Sequence, residues 1–337
     1  MNYASRLTSR TSGSTTTSYG YDDNGNLTQA DGQALTYDAR NQLLTSTTSA
    51  GTTTFTWTPR GTQATITSPA GNTSTTSDAY GQAITQAGQT YAYDANGRLT
   101  AASGKDAFTL TYAGTTSQIA SDGTWNYAYD PGGTLASTRV SGGTTGQATL
   151  AWTDNHTDVV GQFTPVGTSL AGSASYDPYG NITATTGFAG TVGYQSDFTD
   201  PGTSLVHMGA RWYAPADGQF TSRDTTQVSP VPDPAAANPY AYAADNPLTG
   251  TDPTGHMLVA DRSGGGCAPT IPGCPATGRL STSSLPTPPA ATTTAPATPQ
   301  AVPATTVTAL PTGESCTSTT ATGPATHPTG CCKPSNA

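Results

Sequence analysis

The sequence predicts an all-β chain, and three observations carry that expectation. Gly and Pro supply 38 and 26 of the 337 residues, only 10% of residues are charged, and a Tyr-Asp phrase recurs at hairpin spacing. Asp outnumbers Glu 20 to 1 and Arg outnumbers Lys 10 to 2. Glu and Lys build exposed helix faces, whereas Asp, Asn, Gly and Thr serve turns and strands. A hydrophobic share of 34% is thin material for a compact enzyme core.

The phrase reads YDDNGNLT at 21–28, YDARNQLLT at 37–45, YDANGRLT at 93–100, YDPGGTLAS at 129–137 and YDPYGNIT at 176–183. Weaker copies stand around Trp57, at 77–85, around Tyr112 and around Trp152. Nine units therefore begin near 21, 37, 57, 77, 93, 112, 129, 152 and 176, in steps of 16 to 24 residues. Asp followed three places later by Gly suits a type I turn, in which Asp bonds the turn backbone and Gly accepts a positive φ. Alternation on either side, as in Tyr91-Ala92-Tyr93, has the two-residue period of a strand. Tyr marks one face and Thr or Ser the other, so stacked copies are expected to form Tyr ladders. The Thr-rich strands also suggest a sheet that encloses polar space, because a dry core needs more Val, Ile, Leu and Phe.

These units resemble the YD repeats of RHS proteins, of the C subunits of bacterial toxin complexes and of teneurins. The stretch GYQSDFTDPGTSLVHMGARWYAPADGQFTSRD, followed by NPYAYAADNPLTGTDPTG, looks like the RHS repeat-associated core that closes such a repeat region. The resemblance implies a spiralling β-shell. Its expected parts are a lead-in at 1–18, a YD-repeat sheet at 19–186, a plug-like RHS core at 187–256 and a disordered tail at 257–337. Nine hairpins give about 18 strands, so the sheet is ~86 Å wide and, rolled once, has a radius of ~14 Å. An 80-residue domain has an outer radius of roughly 15 Å, so this chain alone is not expected to house a folded cargo.

Many relatives cut themselves after the terminal DPxG phrase. The resemblance implies an aspartyl-peptidase-like pair, Asp224 and Asp252, with Arg223 holding one carboxylate ionised and a cut between His256 and Met257. Paired carboxylates suit this work because like charges at short range split their pKa values. Two departures from the cutting pattern stand in the sequence: RDTTQV, where relatives have Pro and Gly after the Asp, and His256, where an apolar residue is usual. The plain alternative makes Arg223-Asp224 a surface pair and Asp252-Pro253-Thr254-Gly255 an ordinary turn. Enzyme activity is expected to be at most a single-turnover autoproteolysis.

From about 263 the chain turns to Pro, Thr, Ala and Ser, a composition that cannot bury a core. Its five cysteines, Cys267, Cys274, Cys316, Cys331 and Cys332, fit no zinc template, so neither a cofactor nor a metal is expected. The net charge of -9 comes without a basic stripe, which speaks against a nucleic-acid partner. No segment reads as a signal peptide or membrane span. Repeats that begin so early suggest the C-terminal end of a longer shell protein, secreted or at the cell surface if that longer protein is exported.

The function implied by the resemblance is the C-terminal shell and plug of an RHS-type polymorphic toxin or encapsulating protein. Its expected partners are an upstream or neighbouring YD-shell segment, a toxin cargo and an immunity protein. A non-catalytic cell-surface adhesion or glycan-binding repeat protein, with the tail as a stalk, stays open as the alternative.

Overall fold

The computed structural model describes residues 6–144, 147–166, 169–226 and 237–256, together with the backbone of a short strand at Val259–Ala260. Met257, most of the Pro-rich loop after Asp224 and the tail with its five cysteines lie outside the described residues.

Each unit folds because its Asp organises a turn. The Oδ1 of Asp22 accepts the backbone N–H groups of Asn24 at 2.9 Å and Asn26 at 2.8 Å, while the Gly25 N–H returns to the Asp22 carbonyl at 3.2 Å. The same pair of side-chain bonds recurs at Asp38, Asp78, Asp94, Asp154 and Asp177. The residue three places after the Asp takes a left-handed conformation, with φ of 78° at Gly25, and Asn41 and Thr157 fill that place at 63° and 65°. A bulge sits at each of these turns, for example between Thr36 and Tyr37 and between Ala92 and Tyr93. Such bulges add right-handed twist to every hairpin.

In five of the nine units the repeated aromatic ties the unit to the one before it. Tyr37 donates its hydroxyl to the Leu27 carbonyl at 2.8 Å, Tyr93 to Ala83 at 3.0 Å and Tyr129 to Ile119 at 3.1 Å. Trp57 stands in for Tyr because its indole N–H makes the same bond, to the Leu43 carbonyl at 2.8 Å. The expected Tyr ladder is thus replaced by hydroxyl-to-carbonyl ties. Among the described residues no ring pair joins successive repeat aromatics. The physical reason is that a buried phenol must satisfy its O–H, and the neighbouring turn offers a carbonyl.

Twelve strands, from β1 (Ser9–Ser12) to β12 (Phe108–Thr109), and then eight more, from β13 (Thr111–Tyr112) to β20 (Ile182–Thr186), pair antiparallel in strict sequence order. Strands start at Ser9, earlier than the expected boundary at 19, because the Ser/Thr-rich segment closes a hairpin around Gly13. One face points outward and carries cross-strand hydroxyl pairs, such as Thr36 with Thr45 and Thr56 with Thr65, both at 2.6 Å.

The other face is not the polar lining that the Thr content suggests. Leu27, Leu35, Leu43 and Phe55 pack with Tyr194, Tyr213, Phe220 and Tyr242 in one cluster. Tyr91, Leu99, Tyr127 and Leu135 pack with Phe198 and Trp212 in a second. The apolar bulk that the strands lack is supplied by the segment after 187, whose small meander comprises β21 (Phe198–Thr199), β22 (Val206–Met208), β23 (Arg211–Ala214) and β24 (Gln219–Phe220). A pocket of about 660 Å³ remains beside it, lined in part by Gln33, Ser46, Phe55, Tyr194 and Asp217. The two ends of the repeat series also meet: the Tyr21 and Tyr179 hydroxyls lie 2.7 Å apart, and the Tyr19 and Tyr179 rings are 5.7 Å apart.

Two stability predictions follow from this packing. Tyr37→Phe removes one tie and is expected to cost about 1 kcal/mol, against about 2–5 kcal/mol for Leu43→Ala at a fully buried site. Urea unfolding checks both, and equal costs would contradict this ranking. His207, wedged between the Tyr93 and Trp212 rings, has its imidazole pKa lowered by burial from 6.5 to about 4. A base whose pKa is depressed on folding contributes fully above pH 6.5, and the contribution, on the order of 3 kcal/mol, is lost as pH falls towards about 4. His207→Gln is expected to flatten that loss in unfolding curves taken at intervals between the two pH values, and a parallel decline in both proteins would contradict it.

Candidate functional site

Two consecutive devices of the fold bring Asp224 and Asp252 together. β22 and β23 are joined by a tight turn at Gly209-Ala210, with Gly209 at φ 57°. The Ala210 N–H bonds the Thr254 carbonyl at 3.0 Å and so docks this turn onto the phrase DPTG. That phrase has the geometry of the repeat turns: the Gly255 N–H returns to the Asp252 carbonyl at 3.2 Å, and the His256 N–H bonds Asp252 Oδ1 at 3.0 Å. Gly255 is required there, since its φ is +68° and a Cβ would strike the Met208 carbonyl.

The cation between the two carboxylates is Arg211. Its Nη2 lies 3.1 Å from Asp224 Oδ2 and 3.2 Å from Asp252 Oδ2. Its Nη1 donates to the Pro239 carbonyl at 2.9 Å, its Nε donates to the Gly255 carbonyl, and its Cζ sits 3.6 Å from the Phe220 ring centroid. Arg223, expected to hold one carboxylate, does something else. Its backbone N–H bonds the Gly61 carbonyl at 2.9 Å, its stem packs on Gly61 and its exposed side chain lines a separate pocket. The correction has a simple cause: Arg223 lies in the extended segment just after β24 and pairs with the repeat turn at Gly61, whereas Arg211 is buried in the middle of the meander.

His256 occupies the place four residues after the turn Asp, the place of Asn26, Gln82 and Arg98 in the repeats. Those side chains cross to the next turn, as in Asn26 Nδ2 to Asn41 Oδ1 at 3.1 Å, Gln82 Nε2 to the Gly97 carbonyl at 2.8 Å and Arg98 Nη1 to the Thr116 carbonyl at 2.7 Å. His256 makes the equivalent reach and meets Asp224, with Nδ1 2.8 Å from Oδ1. The Thr226 N–H also bonds that oxygen, at 2.7 Å. Burial opposes ionisation of Asp224, but the His256 hydrogen bond and the Arg211 charge outweigh it and hold the carboxyl below its usual range. Asp197 behaves oppositely: burial, and then the charge of Asp252, push its carboxyl well above the usual range.

The site therefore pairs two carboxylates, Asp224 and Asp252, across one guanidinium. Such a set is able to accept and return protons at a carbonyl held next to it. The sequence reading places Asp224, Asp252 and His256 here and misses Arg211. A charged residue inside the apolar run VHMGARWYA was the available signal, because a buried guanidinium needs carboxylate partners.

Residues 152–248 match the Teneurin YD-shell family model and residues 37–73 match the RHS Repeat model, so both stretches carry RHS/YD-repeat sequence. Among curated proteins it is 34% identical over 116 residues to the tRNA3(Ser)-specific nuclease WapA of Bacillus spizizenii, a span of 31% of this chain and 4% of that protein. Among solved structures, the TcdB2-TccC3-Cdc42 crystal structure aligns with a TM-score of 0.38 and 16% identity over 72% of this chain and 17% of the other. The Photorhabdus luminescens Tc holotoxin pore aligns with a TM-score of 0.36 and 17% identity, again over 72% and 17%. The chain thus spans a small part of each relative's own length.

Removing Arg211 alone leaves the buried Asp252 and the half-buried Asp224 carboxylates facing each other. Arg211→Met is expected to cost about 3–5 kcal/mol at neutral pH, with part recovered in the Arg211→Met/Asp224→Asn double variant. Chemical denaturation of the four proteins in this cycle checks it, and strictly additive costs would show that the guanidinium does not bridge the pair.

Proposed function

We propose that this chain is the C-terminal shell and plug of an RHS-type polymorphic toxin or encapsulating protein, and that it cuts itself once between His256 and Met257. The observation that carries the reading is the Asp224–Arg211–Asp252 bridge, which ends at the residue preceding the proposed bond. Within the shell, residues 19–186 form the wall and 187–256 the plug. The clusters that join Phe55 to Tyr242 and Leu99 to Trp212 support that division.

The edge strands support a partner. β20 is exposed along all five residues and pairs on one side only, as does β1 at the other end of the series. An upstream or neighbouring YD-shell segment continues the sheet at such an edge by backbone pairing. Cargo and immunity protein enter this reading only through the family resemblance.

In the cut, water adds to the His256 carbonyl carbon and gives a proton to ionised Asp224. The carboxyl pair returns that proton to the Met257 nitrogen as the C–N bond breaks. The products are a carboxylate at His256 and an amine at Met257, and no co-reactant besides water is consumed. In the arrangement described, both oxygens of Asp224 are engaged, by His256 and Thr226 on one side and Arg211 on the other. The His256 side chain therefore restrains the base, and a residue without a hydrogen-bonding side chain at 256 releases it.

Intact mass of the purified 337-residue chain tests the reading. Fragments of 256 and 81 residues are expected, absent from Asp224→Asn and Asp252→Asn and formed faster in His256→Leu. An uncut wild type and an uncut His256→Leu at every pH from about 4 to 8, or cutting that survives both Asn substitutions, would sink the proposed chemistry.

A further inference from the structure

Away from the carboxylate pair, three arginines open onto one pocket. Arg40, Arg60 and Arg223 line a space of about 450 Å³ together with Asn41, Gln42 and Tyr240. The chain carries ten arginines and a net charge of -9, so three guanidiniums at one pocket concentrate positive charge on an acidic molecule. Among the described residues none of the three makes an ion pair.

The repeat geometry explains how they converge. Arg40 in Asp38-Ala39-Arg40-Asn41 and Arg60 in Thr58-Pro59-Arg60-Gly61 hold the same third place in two adjacent turns, where other repeats carry Asn24, Asn96 or Gly132. Adjacent turns lie two strands apart, ~10 Å, a separation that two long side chains span. Arg223 completes the set from the segment after the meander. Its stem is fixed against Gly61, where a Cβ would lie 3.0 Å from Arg223 Cβ.

The floor of the pocket is rigid. Tyr240 is 1% exposed, donates its hydroxyl to the Gly61 carbonyl at 3.1 Å and accepts from Gln42 Nε2 at 3.2 Å. The Trp57 ring stands edge-on to it, with centroids 5.0 Å apart. One Nη1 of Arg60 is spent on the Ala79 carbonyl at 2.7 Å. The nearby carboxylate of Asp38 directs its Oδ1 to the N–H groups of Arg40 and Gln42, inside its own turn. Several guanidinium N–H groups therefore remain for a ligand.

We propose that Arg40, Arg60 and Arg223 form a binding site for a phosphate group, free or carried on a small phosphomonoester. Guanidinium forks match the oxygens of a tetrahedral dianion in geometry and charge, and three of them around a concave floor exceed what a dispersed surface offers. This site needs no self-cleavage and stands whether or not the chain is cut.

Calorimetric titration of the full chain at constant ionic strength tests it, with inorganic phosphate, glycerol 2-phosphate and chloride as probes. Saturable binding of phosphate is expected, weakened at least about ten-fold by Arg40→Gln/Arg60→Gln and little changed by Lys105→Gln, which removes one exposed charge elsewhere. Tighter binding of glycerol 2-phosphate than of phosphate assigns the site to an ester, and the reverse order to the free ion. Phosphate heat no different from chloride, or an equal loss in Lys105→Gln, overturns the proposal in favour of diffuse charge. Arg223→Gln gives a second route to the same loss from a residue outside the repeat turns.

Discussion

One aspartate oxygen accepting two backbone N–H groups, two and four residues further on, is the interaction from which this molecule is built. It closes a four-residue turn and leaves a left-handed residue at the exit. The side chain that follows is thereby aimed at the next turn. Because the aromatic just before the Asp lies at the end of its strand, its hydroxyl reaches the neighbouring unit's backbone in the same step. Local turn chemistry thus fixes strand register, twist and the link between units together.

The candidate site is the same device reused. Asp252 caps a turn, and the residue four places after it points at a neighbour, as in the repeats, but here the neighbour is a carboxylate. What differs is burial. Arg211 is 5% exposed and sits against Phe220, so both of its carboxylate contacts form where water competes little. A construction that elsewhere staples turns on the surface here gathers charges in the interior.

Much of this was legible in the sequence, because turn chemistry is local. The Asp and Gly spacing located five of the nine turns, the recurring aromatic marked the other four, and the alternating strands gave the outward Thr face. What stayed hidden depends on contacts between residues far apart. The second segment fills the space that the Thr-rich strands leave, and no count of strand residues reveals that Phe55 shares a cluster with Tyr242 or that Tyr91 meets Trp212. The partner of Asp224 stayed hidden for a related reason: adjacency of Arg223 in the chain does not decide which guanidinium shares its space.

The contact between Tyr21 and Tyr179 spans 158 positions of sequence, yet it is set by the number of units between them. Open solenoids tolerate gain or loss of a repeat, since each unit touches only its neighbours. Here the count is gauged twice, once where the first and last turns meet and once where Tyr91, midway, lies against Trp212. A chain one hairpin longer or shorter would keep every turn intact and still lose one of these two coincidences. These two contacts bear on insertion and deletion in a way that the contacts between neighbouring repeats do not.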